Sequence, residues 1–214
     1  DFDADDLHLL EAPSQQAAAA LENAQTFEKT ERAQREEALL LEVVSSIASE
    51  IVLEPLLQKI IDAATLLLEA DRGSLFLYDP ASKELFSRVA GGATIREIRF
   101  PSDAGIAGEC FTAVAPINIP DAYADDRFNP DVDRQTGYKT SNMLCMPITT
   151  KHGNSVGVMQ ILNKATGSFG PADEKRLVAL CAQAAVSIEN AQFFAQVNAA
   201  RNYNEGILRS MSNG

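Results

Sequence analysis

Residues 14–53 contain neither glycine nor proline, and nor do residues 172–205. Both runs are rich in Ala, Glu, Gln and Leu, so nothing local interrupts a helix in them. Whatever this chain folds into must therefore carry long helices towards both ends. Between the two runs the texture changes: Gly, Pro and Asp/Asn turn signals recur, and apolar residues come in short, partly alternating runs. A helical segment, many short strands and a second helical segment predict an α+β domain, with a central antiparallel sheet of five to six strands and long helices on one face.

In the first run Leu40, Val43, Val44, Ile47 and Ile51 form an apolar stripe at helical spacing, preceded by a solvated stretch of mixed charge at 28–37. A helix this long cannot bury its whole length on one small domain, so a partner helix is expected. A second helix is predicted from Pro55 to Glu69, with Leu56, Ile60, Ala63, Ala64 and Leu67 inward. Strands are predicted at 73–78, 84–89, 95–100, 117–119, 143–148 and 155–162, with turns at Asp79-Pro80, Gly91-Gly92 and His152-Gly153-Asn154. A short helix is expected around 109–113, and 121–140 reads as a polar segment with turn and cap signals at Asn129-Pro130 and Gly137. The last helix opens with Pro171 at its first position and Asp173 and Glu174 in its first turn.

The net charge of −12 disfavours a nucleic-acid polymer as partner, yet leaves room for a small phosphate held by backbone N–H groups. No run reads as a membrane span or a secretory leader. Cys110, Cys145 and Cys181 are far apart inside apolar runs, which fits buried thiols in a reducing, cytoplasmic setting. His8 and His152 join no cluster with metal-site spacing, so no metal and no cofactor are expected.

The pair Asn163-Lys164, then Phe169, then Asp173-Glu174, stands where a last strand should pass into a last helix. This set resembles the signature of cyclic-nucleotide-binding GAF domains. The blocks 70–74, 118–123 and 136–140 are similar to the same segments of cyanobacterial adenylyl cyclases and mammalian tandem-GAF phosphodiesterases. The resemblance covers about residues 40–195, and 208–214 resembles the lead-in to a PAS domain. It implies a linker and connecting helix at 1–38, a GAF domain at 39–195, and a connecting helix at 196–214 leading to a downstream PAS-like or catalytic domain. The terminal helices, whose outer turns near Phe27 and Val197 have no sheet to cover, predict a homodimer; the resemblance implies a regulatory fragment that is not itself an enzyme, with an adenylyl cyclase as parent and a phosphodiesterase as alternative.

The same resemblance assigns a site. Backbone N–H groups of Ile106 and Ala107, in Gly105-Ile106-Ala107-Gly108, would meet the cyclic phosphate. Thr136 and Thr140 would reach the phosphate or ribose, with Asn129 and Asp133 in the same lid. Arg72, Ser74, Val89, Ala90 and Gln160 would surround the base. Ala90 and Gln160 stand where a cGMP site is expected to carry carboxylates, which favours cAMP, with cGMP possible. Lys164 and Asp173 are expected to form a salt bridge beside a closed, polar-lined cavity between the sheet and residues 105–140. Three readings compete. A thiol-based sulfoxide reductase would need an activated cysteine, and bilin or haem binding would need a suitably placed histidine, whereas Phe111 follows Cys110 and His152 lies in a turn. A ligand-free dimerisation module is the third.

Overall fold

The computed structural model describes residues 20–28, 30, 31, 34, 38, 41–91 and 94–212, with the backbone alone at 88–91, 94–96, 132, 135, 136 and 204–212. The acidic lead at 1–13, Leu40 and Gly92 lie outside the described residues. The chain forms two compact units, Asp1–Val43 and Val44–Gly214. The described residues of the first are helical.

In the second unit the helix reaches residue 48 and then breaks, short of the expected end at 53. Pro55 explains this: its ring cannot follow a continuous helical turn, but it is at home in the first turn of a new one. Glu50 occupies the break, accepting from the Val52 N–H at 3.3 Å and from Lys59 Nζ at 2.8 Å. Helix α1 (Leu53–Leu68) then begins. Ile51, expected on the inward stripe, lies in the break and is exposed.

Six strands follow: β1 (Ala70–Asp79), β2 (Glu84–Gly91), β3 (Thr94–Pro101), β4 (Ile117–Ile119), β5 (Met143–Thr149) and β6 (Ser155–Lys164). They form one sheet in the order β3-β2-β1-β6-β5-β4, antiparallel at every junction. Helix α2 (Gly105–Ala113) precedes β4, and the segment expected to be irregular holds a 3-10 turn (Ala122–Ala124) and a short helix α3 (Asp131–Thr136). Helix α4 runs from Pro171 to Ser212.

Strand alternation sorts the core into two layers. Leu75, Leu77, Leu144, Met146, Ile148, Met159 and Ile161 are buried towards α1 and α4, which contribute Leu56, Ile60, Ala64, Leu68, Leu177, Leu180, Ala184 and Ile188. Gly73 belongs to this face: a Cβ there would come within 3.1 Å of Ile61 and Thr65 of α1. One stretch of α4 is apolar enough to cross a bilayer by length and composition, but 44% of it is buried inside the protein, as befits a core helix. The opposite face of the sheet carries the candidate site.

Candidate ligand-binding site

On that face, cross-strand pairing sets up rows of side chains. One row is Ser74–Gln160–Cys145–Ile117 and the next is Arg72–Leu162–Met143–Ile119. β1 pairs with β2 only from Leu77↔Phe86 to Asp79↔Glu84, so Val89 and Ala90 lie on β2 beyond that pairing, held instead by β3.

α2 lies across β5 and β6. Gly108 lets the segment leading into α2 pass close against the helix, because a Cβ at this position would fall 2.4 Å from the Asp103 backbone carbon. The N-terminus of α2 has no side-chain cap, which leaves the amides of Gly105, Ile106 and Ala107 without a capping side chain, as a phosphate-binding role requires. The side chains of Ile106 and Ala107, however, are buried.

They join an apolar cluster with Phe76, Leu85, Cys110, Ile119, Met143, Cys145 and Val158, flanked by Tyr78, Phe100, Phe111, Phe128 and Leu162. The expected polar-lined cavity is therefore corrected: the space between the sheet and α2 is taken up by apolar side chains. The cause lies in the sequence. β5 is apolar on both faces from Met143 to Ile148, and β6 is largely so from Val156 to Leu162, so α2 can seal this face as the long helices seal the other. Two open grooves indent the outer side of this region. One, of about 530 Å³, is lined by Pro120, Asp121, Tyr123, Lys139, Thr140 and Ser141. The other, of about 480 Å³, is lined by Asp103, Gly105, Glu109, Thr112 and Arg127.

Residues 120–142 form a lid knit around one carboxylate. Asp133 is 4% exposed. It accepts from Tyr123 Oη at 3.1 Å, from Thr140 N at 2.6 Å and from Thr140 Oγ1 at 2.9 Å. The Tyr123 hydroxyl pKa is raised, first by burial and then by this carboxylate. Thr140 thus spends its hydroxyl proton inside the lid rather than on a ligand. Asn129 is exposed and stands just before Pro130, the residue that opens α3; its Oδ1 accepts from Asp131 N at 2.9 Å in a local turn. Thr136 closes α3, and Gly137, in the left-handed region at φ 70°, ends it.

Both ends of the lid are fastened by the Asn163-to-Glu174 signature. At the incoming end, Asn118 Nδ2 donates to the Phe169 carbonyl and to Glu174 Oε1, each at 2.9 Å. At the outgoing end, Asn163 Oδ1 accepts from Ser141 N at 2.7 Å, while its Nδ2 donates to the Lys139 carbonyl and to Tyr138 Oη. Lys164 Nζ donates to the Leu68 carbonyl at the end of α1 and to Asp173 Oδ1 at the start of α4. Phe169, 5% exposed, packs beneath that ammonium.

Arg72, expected at the base, is exposed and lies over the Tyr138 ring with its guanidinium carbon 4.0 Å from the centroid. Ser74 and Gln160 face one another across β1 and β6, and Gln160 Nε2 donates to Met143 Sδ at 2.8 Å. Sequence reasoning missed Asn118, Tyr123, Tyr138 and Asp71 as parts of this assembly. All four stand inside the blocks 70–74, 118–123 and 136–140 that carry the resemblance, which was the available signal.

Comparison with known proteins gives a consistent result. A family model described as GAF domain matches residues 52–188. The chain is 38% identical over 176 residues to a dual 3′,5′-cyclic-AMP and -GMP phosphodiesterase 11 of Drosophila melanogaster, covering 74% of this chain and 12% of that protein. It is 37% identical over 175 residues to a cGMP-specific 3′,5′-cyclic phosphodiesterase of Drosophila sechellia, covering 73% of this chain and 14% of that one. The GAF domain from a phosphoenolpyruvate-protein phosphotransferase of Coxiella burnetii shares the fold: TM-score 0.66, 22% identity, 77% of this chain and 98% of that chain.

Proposed function

The chain belongs to the GAF domain family, and we propose that within it this is the regulatory, cyclic-nucleotide-binding domain of a cyclic-nucleotide phosphodiesterase. The observation that carries the reading is the signature network. Hydrogen bonds made by residues 163–174 tie both ends of the lid, the end of α1 and the start of α4 to one short stretch of chain. A change in lid position is thereby delivered to the helix that leaves the domain. A ligand can drive that change only through its preference for one lid position.

The relatives named above are phosphodiesterases, which favours that parent over the adenylyl cyclase expected from sequence. They are much longer than this chain, so a linked catalytic domain is part of the proposal. Entry of a nucleotide requires α2 and the lid to lift, because Ile106, Ala107 and Cys110 are packed in one apolar cluster with Cys145 of the row Ser74–Gln160–Cys145. The uncapped α2 amides then take the phosphate and the row takes the base.

The orientation of Gln160 shifts the favoured base. Its amide N–H points at Met143, so its carbonyl oxygen is the group left for a ligand. Guanine offers that acceptor two donors, N1–H and N2–H, where adenine offers only its N6 amine. cGMP is therefore the leading ligand, and cAMP, favoured by the missing acid at Ala90, is the second.

α4 also supports a homodimer. Its last buried side chain is Ala191, and those described beyond it, through Tyr203, are half-buried or exposed. Val178, Val186, Phe193 and Val197 form an exposed apolar stripe opposite the buried one.

Calorimetry and thermal melts with each nucleotide test the binding reading. A ligand at a hundred times its Kd raises stability by about 2.7 kcal/mol. Absence of both heat and melting shift with cAMP and with cGMP at millimolar dose overturns it.

A further inference from the structure

Tyr138 stands one residue beyond the turn that ends α3 and meets three groups at once. Its hydroxyl donates to Asp71 Oδ2 at 2.7 Å and accepts from Asn163 Nδ2 at 2.9 Å. Its ring lies under the Arg72 guanidinium at 4.0 Å. Asp71 and Arg72 are consecutive in an extended strand, where neighbouring side chains leave on opposite faces. One tyrosine can engage both only by lying across the end of β1. Burial first, and then the Asp71 carboxylate, push the hydroxyl pKa well up, so it remains a donor at any physiological pH.

Arg72 occupies the row next to Ser74–Gln160, at the open end of the sheet face. A guanidinium stacked flat on a ring keeps its N–H edge free and fixed in direction, and the stack limits the rotamers of an otherwise exposed side chain. The same ring belongs to the last turn of the lid, so lid position and Arg72 position are one variable.

We propose that Tyr138 is a positioning residue with two separable parts: its ring aims Arg72 at the base of the bound nucleotide, and its hydroxyl latches the lid to β1 and β6. This rests on the reading above that a cyclic nucleotide binds beneath the lid. The ring sets discrimination between bases; the hydroxyl sets the rate of release.

Three variants of the full chain separate the parts, read by calorimetry and stopped-flow release of cAMP and cGMP. Tyr138→Phe keeps the ring, and its release rate should rise roughly tenfold, the loss of one hydrogen bond to a carboxylate, with the cAMP/cGMP affinity ratio unchanged. Tyr138→Leu should move that ratio to the value found in Arg72→Ala, and combining the two should move it no further. An unchanged release rate in Tyr138→Phe overturns the latch. An Arg72→Ala ratio that differs from wild type while Tyr138→Leu keeps the wild-type ratio overturns the aiming role. Should wild type bind neither nucleotide, the binding reading fails and the aiming role with it. The latch is still decided, because hydrogen exchange at residues 137–142 of the free protein must quicken in Tyr138→Phe or the latch is wrong too.

Discussion

Lys164 Nζ and Asp173 Oδ1 lie 2.9 Å apart, with only 16% and 7% of their side chains exposed, at the point where the last strand hands over to the last helix. Asp173 is also the third residue of α4, and its Oδ2 accepts from the Gly170 N–H at 2.9 Å, the returning half of a capping box. The two partners are not equivalent. Asp173 keeps Gly170 N and Arg176 Nη1, at 3.5 Å, if the lysine goes. Lys164 is left with the Leu68 carbonyl and the face of the Phe169 ring, neither of them a counter-charge, if the aspartate goes.

That asymmetry gives an ordered pair of stabilities. Asp173→Ala leaves a nearly buried ammonium short of its counter-charge and should cost about 3–5 kcal/mol. Lys164→Met should cost less, about 2 kcal/mol, since a second cation is already beside the carboxylate. Urea unfolding of both variants checks the order, and equal losses would contradict the role given to Arg176.

Asn163 holds the lid from a left-handed backbone, φ 56°. Asn163→Gly removes the side-chain contacts to Ser141, Lys139 and Tyr138 but relaxes the backbone, whereas Asn163→Ala removes the contacts and keeps the conformational penalty. Alanine should therefore be the less stable variant by about 1 kcal/mol, the usual cost of a Cβ in that region. Equilibrium denaturation of the two side by side measures it.

These two sites mark where sequence reasoning reached and where it stopped. Periodicity and punctuation placed all six strands to within a few residues and the start of α4 at Pro171, because each of those features is local. The break at 49–52 was hidden because it depends on Pro55 acting from the far side of the boundary. The lid was harder still. Asp133, Asn163 and Glu174 were identified as important, but their partners Tyr123, Tyr138 and Asn118 are joined to them only by the closed fold; Tyr138 and its own partner Asp71 are 67 positions apart. The apolar filling beneath α2 was missed for a related reason: Ile106, Ala107, Cys110 and Phe111 looked like a phosphate loop and its helix, and nothing local said that their side chains would pack on β5 and β6.

The thiols should be silent in the native protein. Cys110, Cys145 and Cys181 are all buried. The Cys145 pKa is pushed up by its contact with Cys110 and by burial, and that of Cys181 mainly by burial. Since the thiolate is the reactive species, N-ethylmaleimide at pH 7.5 should add nothing in the time that fully labels the unfolded chain. Intact mass spectrometry reads this directly. Cys110, carried on α2, should be the first to react when α2 lifts from the sheet, and a fast native adduct at Cys145 or Cys181 would contradict the packing described.

Acid should loosen the lid before it unfolds the sheet. Arg127 donates to Asp125 at 2.6 Å and, with the Arg127 backbone N–H, holds that carboxyl down to about 2. An unfolded aspartate titrates near 3.9, so between about pH 4 and 2 the native state binds fewer protons than the unfolded one. The contribution of Asp125 is complete above the unfolded value and is lost as pH falls towards about 2. Asp125→Asn should thus melt below wild type at neutral pH and converge on it in acid. The gap should also shrink in 1 M salt, because the pair is partly exposed.

The exposed stripe on α4 makes the final prediction. At about 100° of rotation per residue, Val178, Val186, Phe193 and Val197 fall within roughly 100° of one another, so they line one side of the helix. Phe193 is 68% exposed and lies beyond Ala191, the last buried residue among the described side chains of the helix. A charge there can disturb little inside the domain, but it is ruinous at a helix–helix seam, where it must be desolvated without a partner. Phe193→Glu should leave the melting of the sheet and its near-ultraviolet spectrum unchanged while converting a dimer to a monomer in light scattering at micromolar concentration. A variant that stays dimeric would move the interface off this stripe, and a wild type that is monomeric at the same concentration would remove the homodimer from the proposed mechanism.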